Sequence, residues 1–148
     1  MNVNRELNVS ADEFFNQIQR SVLEDIKAST RKNIEDEQVV DGYSYHKNLG
    51  TKMGGSSKVK VTIKELHAPT SYKADFTSGN GVNSIAYIIQ EIGPQKINVH
   101  YEEGFSGSSR KMDLNNKIVQ LFYTMGSKRK INTLLKNMET YIIQNRPM

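Results

Sequence analysis

The hydrophobic pattern of this sequence changes period once, and the change separates a β-rich region from a C-terminal helix. Between residues 43 and 105 apolar side chains recur at every second position, most strictly in KVKVTIKEL, where Val59, Val61 and Ile63 alternate with polar residues. Such alternation is typical of strands with one apolar and one wet face, and the closely spaced turns predict an antiparallel meander. The last part of the chain instead has apolar residues at helical spacing, which predicts a helix from about 113 to 145.

The N-terminal region predicts one strand followed by one helix. Alternation in NVNRELNVS indicates a short first strand, and apolar residues at helical spacing then predict a helix from about 11 to 28. Ser10 is the expected N-cap and Glu13 lies three residues later, so the two can bond each other's backbone N–H groups as a capping box. Residues 29–42 are polar and mixed in charge, and we expect a connection there with at most one helical turn.

A glycine- and serine-rich segment, GTKMGGSSK from Gly50 to Lys58, has the composition of a phosphate-binding loop. Such loops present backbone N–H groups at a helix N-terminus and end in Gly-Lys followed by Ser or Thr. This segment lacks that ending and continues into a predicted strand. The sequence therefore favours a hairpin loop, which can still lie at the rim of a cavity.

The composition indicates the cellular compartment in which the protein is expected to function. The chain contains no cysteine, which excludes disulfides and thiolate metal sites and is typical of a reducing compartment. The N-terminus has no apolar leader segment, and the longest aliphatic run, IAYII, is too short to span a bilayer. A length of 148 residues with 36% hydrophobic residues suits one domain with its own core. We therefore expect a single cytoplasmic domain over residues 1–148, with no membrane span.

Positive charge is concentrated towards the C-terminus. Residues 1–105 carry 12 Lys and Arg against 14 Asp and Glu, a balance of −2, whereas residues 106–148 carry 8 against 2, a balance of +6. Such asymmetry can attract an acidic partner, nucleic acid or anionic lipid, or it can simply solvate one side of a helix. Nucleic-acid binding also favours exposed aromatic residues among the charges, and none lies beside this patch, so the sequence argues against it. The candidate basic surface consists of Lys128, Arg129, Lys130 and Lys136.

The sequence contains no recognisable catalytic or metal-binding motif. His46, His67 and His100 lack the spacing of metal ligands, and on alternating strands two of them share the parity of polar neighbours. No nucleophile motif and no carboxylate pair suited to acid–base catalysis is present. We expect no metal and no cofactor, and the sequence favours a protein that is not an enzyme without deciding the question.

The order of predicted elements is a strand, a capped helix, a strand meander and a long final helix, carried by three segments: NVNRELNVS, SADEFFNQIQRSVLEDI and DLNNKIVQLFYTMGSKRKINTLLKNMETYII. This order resembles the helix-grip fold of the START-related, birch-pollen-allergen-like (SRPBCC) superfamily, which includes lipid-transfer proteins and polyketide cyclases. The resemblance implies an α+β fold: a curved antiparallel sheet of about six strands packed on a long C-terminal helix, with an N-terminal helix after the first strand. The superfamily commonly has six strands after the first helix, whereas five are predicted here.

Five shorter segments carry a closer resemblance: LNVSADEFF, DGYSYHKNL, KVKVTIKEL, SYKADF and YEEGFSGSS. They are similar to an uncharacterised family from low-GC Gram-positive bacteria that is described only as a domain of unknown function. The resemblance implies a bacterial protein and brings no catalytic signature with it.

A sheet with one apolar face must cover that face, and the long final helix is the element large enough to do so. Sheet twist bends the layer away from a straight helix, and the resulting gap is where small ligands bind. Strand parity and the helical stripe predict the residues that line it: Tyr45, Val61, Ile63, Tyr72, Phe76, Tyr87, Val99, Tyr101, Phe122 and Met125. Tyrosine hydroxyls in such a pocket would orient a mostly apolar ligand, although the same residues can equally fill a core.

The leading hypothesis is a cytosolic module that binds a small apolar or amphipathic molecule between the sheet and the C-terminal helix. The first alternative is an interaction or regulatory protein with a filled core that uses the basic surface. The second is an enzyme of the cyclase or hydrolase kind.

Overall fold

Six strands and two helices form the part of the chain that the structure, a computed structural model, describes: residues 1–50, 56–79, 81–107 and 128–147. In chain order they are β1 (Asn2–Leu7), α1 (Ala11–Thr30), β2 (Ser44–Gly50), β3 (Ser56–His67), β4 (Ser71–Ser78), β5 (Gly81–Gly93), β6 (Lys96–Gly107) and α2 (Lys128–Gln144). The predicted α+β order is confirmed over these ranges. The predicted helix residues 113–127 lie outside them.

The strands form one antiparallel sheet in the order β1-β6-β5-β4-β3-β2. The five strands from β2 to β6 follow one another as a meander, as the alternation predicts. β1 is the exception in sequence order, because it pairs with β6, the last strand of the meander, and not with β2. In residues 29–42 the chain holds the end of α1 and a single 3-10 turn at Asp36–Gln38, so within the described ranges five strands follow the first helix.

The glycine- and serine-rich segment lies between two paired strands. β2 and β3 are antiparallel neighbours in which Tyr45 lies opposite Val61, and β3 is already a strand at Ser56. The hairpin interpretation is therefore confirmed for the flanking strands, while residues 51–55 lie outside the described ranges.

One face of the sheet, here called the inner face, packs towards α1 and holds the core. Buried and more exposed residues alternate along β4, with Tyr72 and Phe76 fully buried. A register shift in β3 between Ile63 and Glu65 interrupts the alternation, and Leu66 then lies opposite Tyr72 and packs against the core. Such a bulge adds one residue to a strand and bends it. The sequence pattern did not predict this irregularity.

The capping box at the start of α1 is confirmed. The backbone N–H of Ser10 donates to Oε1 of Glu13 at 2.9 Å, and the backbone N–H of Glu13 donates to Oγ of Ser10 at 3.0 Å. α1 continues to Thr30, two residues beyond the expected end, and Arg31 closes it in the left-handed region with φ of 60°. The residues at the two ends of α1 thus provide partners for backbone N–H and C=O groups that a helix end otherwise leaves unsatisfied.

α2 lies against β1 and α1, and polar contacts fix its position. The backbone N–H of Asn8 donates to Oε2 of Glu139 at 2.6 Å. Just after α2, Arg146 donates from Nε to Oε2 of Glu13 at 2.8 Å, so the C-terminal end of the chain is tied to the first turn of α1. The C-terminal helix is therefore confirmed over Lys128–Gln144 and is attached to the edge strand β1.

The Glu13–Arg146 pair makes stability depend on pH. The hydrogen bond from Arg146 is the main reason that the pKa of Glu13 lies below its ordinary value of 4.5. A carboxyl with a lowered pKa in the folded state contributes stability above its unfolded-state pKa, and that contribution is lost as the pH falls through the folded-state pKa. We expect Arg146→Gln to lower the urea midpoint of unfolding at pH 7 and to have a smaller effect near pH 3.

The matched control is Arg129→Gln, which removes an exposed arginine from α2. Its effect on the midpoint should not change in this way with pH. An Arg146→Gln effect that is equally large at both pH values would contradict the assignment.

Candidate ligand site on the inner face

The inner face brings together the predicted lining residues that the structure describes. These residues are between 0% and 5% exposed: Tyr45, Val61, Ile63, Tyr72, Phe76, Tyr87, Val99 and Tyr101. They share this buried face, and their role in lining a ligand cavity stays a prediction. The other two predicted lining residues, Phe122 and Met125, lie outside the described ranges.

Three tyrosines form a row across the inner face. Tyr72 lies opposite Tyr87, and Tyr87 lies opposite Tyr101 on the next strand. Their ring centroids are 6.2 Å and 5.1 Å apart, the second pair edge to face, which is a favoured aromatic geometry. Phe14 of α1 lies 6.3 Å from Tyr87, so α1 contacts the middle of this row. The row is part of the packed core.

Three of the buried tyrosines, Tyr45, Tyr72 and Tyr87, have pKa values raised above the ordinary value and are neutral hydroxyls at physiological pH. Burial raises the pKa of Tyr45 far above its ordinary value of 10, and the nearby Tyr72 and Asp25 raise it further. Burial is also the main cause of the raised pKa of Tyr72 and of Tyr87. Tyrosine hydroxyls with such pKa values can donate and accept hydrogen bonds, but they do not act as general bases.

A buried ion pair lies at the edge of the same face. Nζ of Lys47 on β2 donates to Oδ1 of Asp25 on α1 at 2.6 Å, and the Tyr45 hydroxyl donates to Oδ2 of the same carboxylate at 2.5 Å. Asp25 is 4% exposed and Lys47 5% exposed. Charges so far from water persist only when they are paired, so this pair joins α1 to the edge strand β2.

Lys47 keeps unused hydrogen-bonding capacity. A lysine ammonium has three N–H donors, and among the described residues Asp25 is its one hydrogen-bond partner. Two donors of a nearly buried ammonium are thus available to another acceptor. The charges of the pair are balanced, however, so the site as a whole is neutral.

A second polar group on the inner face is Asn83 of β5. Its side chain is 2% exposed, and its Nδ2 has no hydrogen-bond partner in the described part of the chain. Asn83 lies opposite Phe76 on one side and Phe105 on the other, so the amide is surrounded by strands rich in aromatic residues. Burying an amide donor without a partner costs about 1–3 kcal/mol, which makes this an unusual residue for a core position.

Sequence reasoning missed Asp25, Lys47 and Asn83 as site residues, although a pattern existed for each. Asp25 lies within the apolar stripe of α1, one residue before Ile26. Lys47 shares the parity of Tyr45, and Asn83 shares that of the buried residues of β5. Each is a polar residue at a position where the periodicity predicts an apolar one, and this signal could have identified them.

The opposite, outer face of the sheet carries an open groove of about 540 Å³ that the sequence did not predict. Two lysines and four carboxylates line it: Lys64, Lys73, Glu65, Asp75, Glu102 and Glu103. Several of these groups already have partners, because Lys73 lies 3.6 Å from Glu65 and the Ser84 hydroxyl donates to Asp75 at 2.8 Å. The groove is therefore a solvated surface in which some charged groups already have partners, and it is a weaker candidate than the inner face.

The four residues of the basic surface are all exposed on α2, which agrees with their assignment to a surface: Lys128, Arg129, Lys130 and Lys136. The three histidines lie in strands or at their ends, and two have carboxylate neighbours. Nε2 of His67 is 2.6 Å from Asp41, and Nε2 of His100 is 2.8 Å from Glu102. The hydrogen bond from His67 lowers the pKa of Asp41. Within the described ranges no three potential metal ligands cluster, and no helix is long and apolar enough to cross a membrane.

Comparison with known protein families matches residues 1–124 to a family described as "Domain of unknown function (DUF3284)". The chain belongs to this family. The match covers most of the sequence and agrees with the resemblance seen in the short motifs. None of the curated proteins matches the sequence.

Solved structures confirm the helix-grip fold. Ara h 8.0201 is similar with a TM-score of 0.60 and 12% identity, over 98% of this chain and 97% of its own. A START superfamily protein from Mycobacterium smegmatis has a TM-score of 0.57 and 12% identity, over 99% and 98%. Norcoclaurine synthase from Thalictrum flavum, solved in complex with dopamine and hydroxybenzaldehyde, has a TM-score of 0.56 and 8% identity, over 100% and 88%. At these identities the likeness is one of fold.

The buried pair should be strongly coupled. We expect Asp25→Leu and Lys47→Met each to lower the free energy of unfolding by about 3 kcal/mol or more, because each leaves one buried charge without a partner. The double variant should be less destabilised than the sum of the two, since it buries no charge. Urea unfolding of the four proteins measures this coupling.

The control cycle uses an exposed ion pair, Glu6 and Lys96, whose charged groups are 3.2 Å apart. Glu6→Gln and Lys96→Gln should couple by less than about 1 kcal/mol. If the Asp25–Lys47 cycle gave a coupling as small as this one, the pair would not be the buried contact described.

Proposed function

We propose that the protein is a small-molecule-binding module that holds an apolar or amphipathic ligand between the inner face of the sheet and the helices. The observation that carries the proposal is the composition of that face. It is an apolar and aromatic surface with a few buried polar groups, and Lys47 and Asn83 have donors that the described chain does not use. A mostly apolar lining with a few placed polar groups is the usual composition of a ligand site.

The fold supports the proposal. One protein of this fold, norcoclaurine synthase, was solved with two small aromatic molecules bound. Because the identity is 8%, this likeness supports the kind of function and not a particular ligand. The lack of cysteine supports a cytoplasmic location, and the single sheet supports one domain over the chain.

Ligand uptake would require the inner face to open. The predicted lining residues are at most 5% exposed, so a ligand can reach them only after side chains or an element move apart. Binding that waits for such a step is slower than diffusion allows. We therefore expect slow association and a ligand-dependent rise in melting temperature.

The first experiment is native mass spectrometry of protein purified from its own host, followed by melting curves with apolar and aromatic compounds. We expect a bound mass or a compound that raises the melting temperature. A protein that is consistently empty and whose melting temperature no compound changes would refute the proposal.

A matched pair of variants then locates the site. Val61→Phe adds volume to the inner face and should weaken binding of the identified compound about tenfold or more, because it fills space that the ligand needs. Thr62→Phe adds the same ring one residue away towards the outer face and should leave affinity unchanged. Circular dichroism and melting curves confirm that both variants fold. Equal affinities in the two variants would place the ligand elsewhere.

A second candidate function is recognition of an acidic partner by the basic surface, since its four residues are exposed on α2. Lys128→Glu combined with Arg129→Glu should abolish a partner seen in pull-down at low salt. The control, Lys58→Glu with Lys60→Glu, makes the same change of charge on β3. An identical set of partners for the wild type and both variants would exclude this function. A cyclase or hydrolase activity has no support from the neutral tyrosines of the inner face.

A further inference from the structure

We propose that the ligand of the inner face is an uncharged, elongated molecule with a hydrogen-bond acceptor oxygen towards each end, one bound by Lys47 and the other by Asn83. The inference rests on the proposed function and specifies its ligand. The chemical class is a neutral ester, ketone, lactone, ether or alcohol with an apolar middle.

Lys47 forms the first polar end of the site. Its ammonium is almost completely buried, and of its three donors one bonds Asp25. An acceptor oxygen placed beside it would gain a charge-assisted hydrogen bond in a medium of low polarity, where such bonds are strong. The Tyr45 hydroxyl already donates to Asp25, so it holds the carboxylate in place while Lys47 is the available donor.

The balance of charge at this end selects a neutral ligand. Asp25 and Lys47 compensate each other, so a carboxylate or ammonium on the ligand would bring one uncompensated charge into the interior. Burying such a charge is strongly unfavourable, whereas a neutral carbonyl or hydroxyl oxygen brings none.

Asn83 forms the second polar end. Its amide nitrogen is buried and has no partner among the described residues, which is a loss of stability in the empty protein. A ligand oxygen would supply the missing acceptor. The buried amide of Asn83 is therefore a second donor on the same face, observed independently of Lys47.

The register of the sheet separates the two ends. Tyr45 lies opposite Val61, Val61 opposite Phe76, and Phe76 opposite Asn83, so one cross-strand row runs from β2 to β5. Three strand spacings are roughly 14 Å, and Lys47 lies two residues further along β2. The side chains between the ends are apolar. A ligand that reaches both donors is therefore about as long as an extended chain of a dozen carbon atoms.

Three probes test the proposal by isothermal titration calorimetry on the full chain. Methyl dodecanoate has one neutral acceptor end, dimethyl dodecanedioate has two, and dodecanoate has one charged end. We expect wild type to bind both esters and to bind dodecanoate at least about tenfold more weakly than methyl dodecanoate. We expect dimethyl dodecanedioate to bind no more weakly than the monoester, because Asn83 offsets the loss of hydration at its second end.

Asn83→Leu is nearly isosteric and removes the second donor. It should weaken dimethyl dodecanedioate about tenfold relative to methyl dodecanoate. It should also raise the melting temperature of the empty protein by about a few degrees, because the unpartnered amide is gone. A residue that only packs the core would show no change in the ratio of the two esters. Asn48→Leu, on an exposed position of β2, is the control.

Asp25→Asn keeps the shape of the carboxylate but leaves the charge of Lys47 uncompensated. It should reverse the preference at the first end, so that dodecanoate binds better than methyl dodecanoate. Asp75→Asn on the outer face makes the same change of net charge and should leave the preference as in wild type. The Asn83 measurements do not depend on whether Asp25→Asn folds.

The outcomes separate the two proposals. Esters that bind wild type, with ratios that Asn83→Leu and Asp25→Asn leave within about twofold, overturn this inference and leave the small-molecule function standing. A destabilised empty Asn83→Leu protein also overturns it, because the amide would then have a structural role. If no probe binds and no compound in the melting screen has any effect, both proposals fail.

Discussion

A sheet in which every second side chain is apolar has to keep one whole face away from water, and the architecture follows from how that face is covered. The strands of a meander cannot cover themselves, so helices must come from both ends of the chain. β1 pairs with β6, which brings the N-terminal region beside the last strand and places α1 over the inner face. Arg146 then ties the chain after α2 to Glu13 at the start of α1, so the two helical regions are held together. The need to cover one face thus accounts for the contacts that the helices make with the sheet and with each other.

The inner face is not purely apolar, and its polar residues differ in whether they have a structural role. Asp25 and Lys47 join a helix to an edge strand that has a neighbour on one side only within the described sheet. Edge strands are the places where a sheet frays or pairs wrongly, so a directional contact there has structural value. Asn83 has no comparable structural role, because its amide nitrogen contacts no acceptor in the described chain. The pair can be understood from stability alone, whereas the asparagine cannot.

Local patterns predicted the elements of this fold because each pattern has a direct physical cause. The capping box at Ser10 and the alternation of Val59, Val61 and Ile63 depend on residues close in sequence, and both are confirmed. The bulge after Ile63 and the contact between Asp25 and Lys47 depend on which strand or helix lies opposite, and one sequence does not contain that information. Charged residues are mostly exposed in proteins, so the same reasoning assigned Lys47 no role on the buried side. Parity predicted which residues share the buried face, but not that Lys47 and Asn83 lie among them.

The two faces of the sheet differ in how their polar groups are satisfied. On the outer face Lys73 pairs with Glu65 and the Ser84 hydroxyl donates to Asp75, both in contact with water, where such contacts contribute little. On the inner face a donor is buried without an acceptor, and an ammonium retains two donors beside an apolar row. Selection for stability alone would disfavour a buried amide donor without a partner at this position. Local departures from otherwise consistent sequence rules tend to mark functional sites, and the buried donor of Asn83 without a partner in the described chain is such a departure.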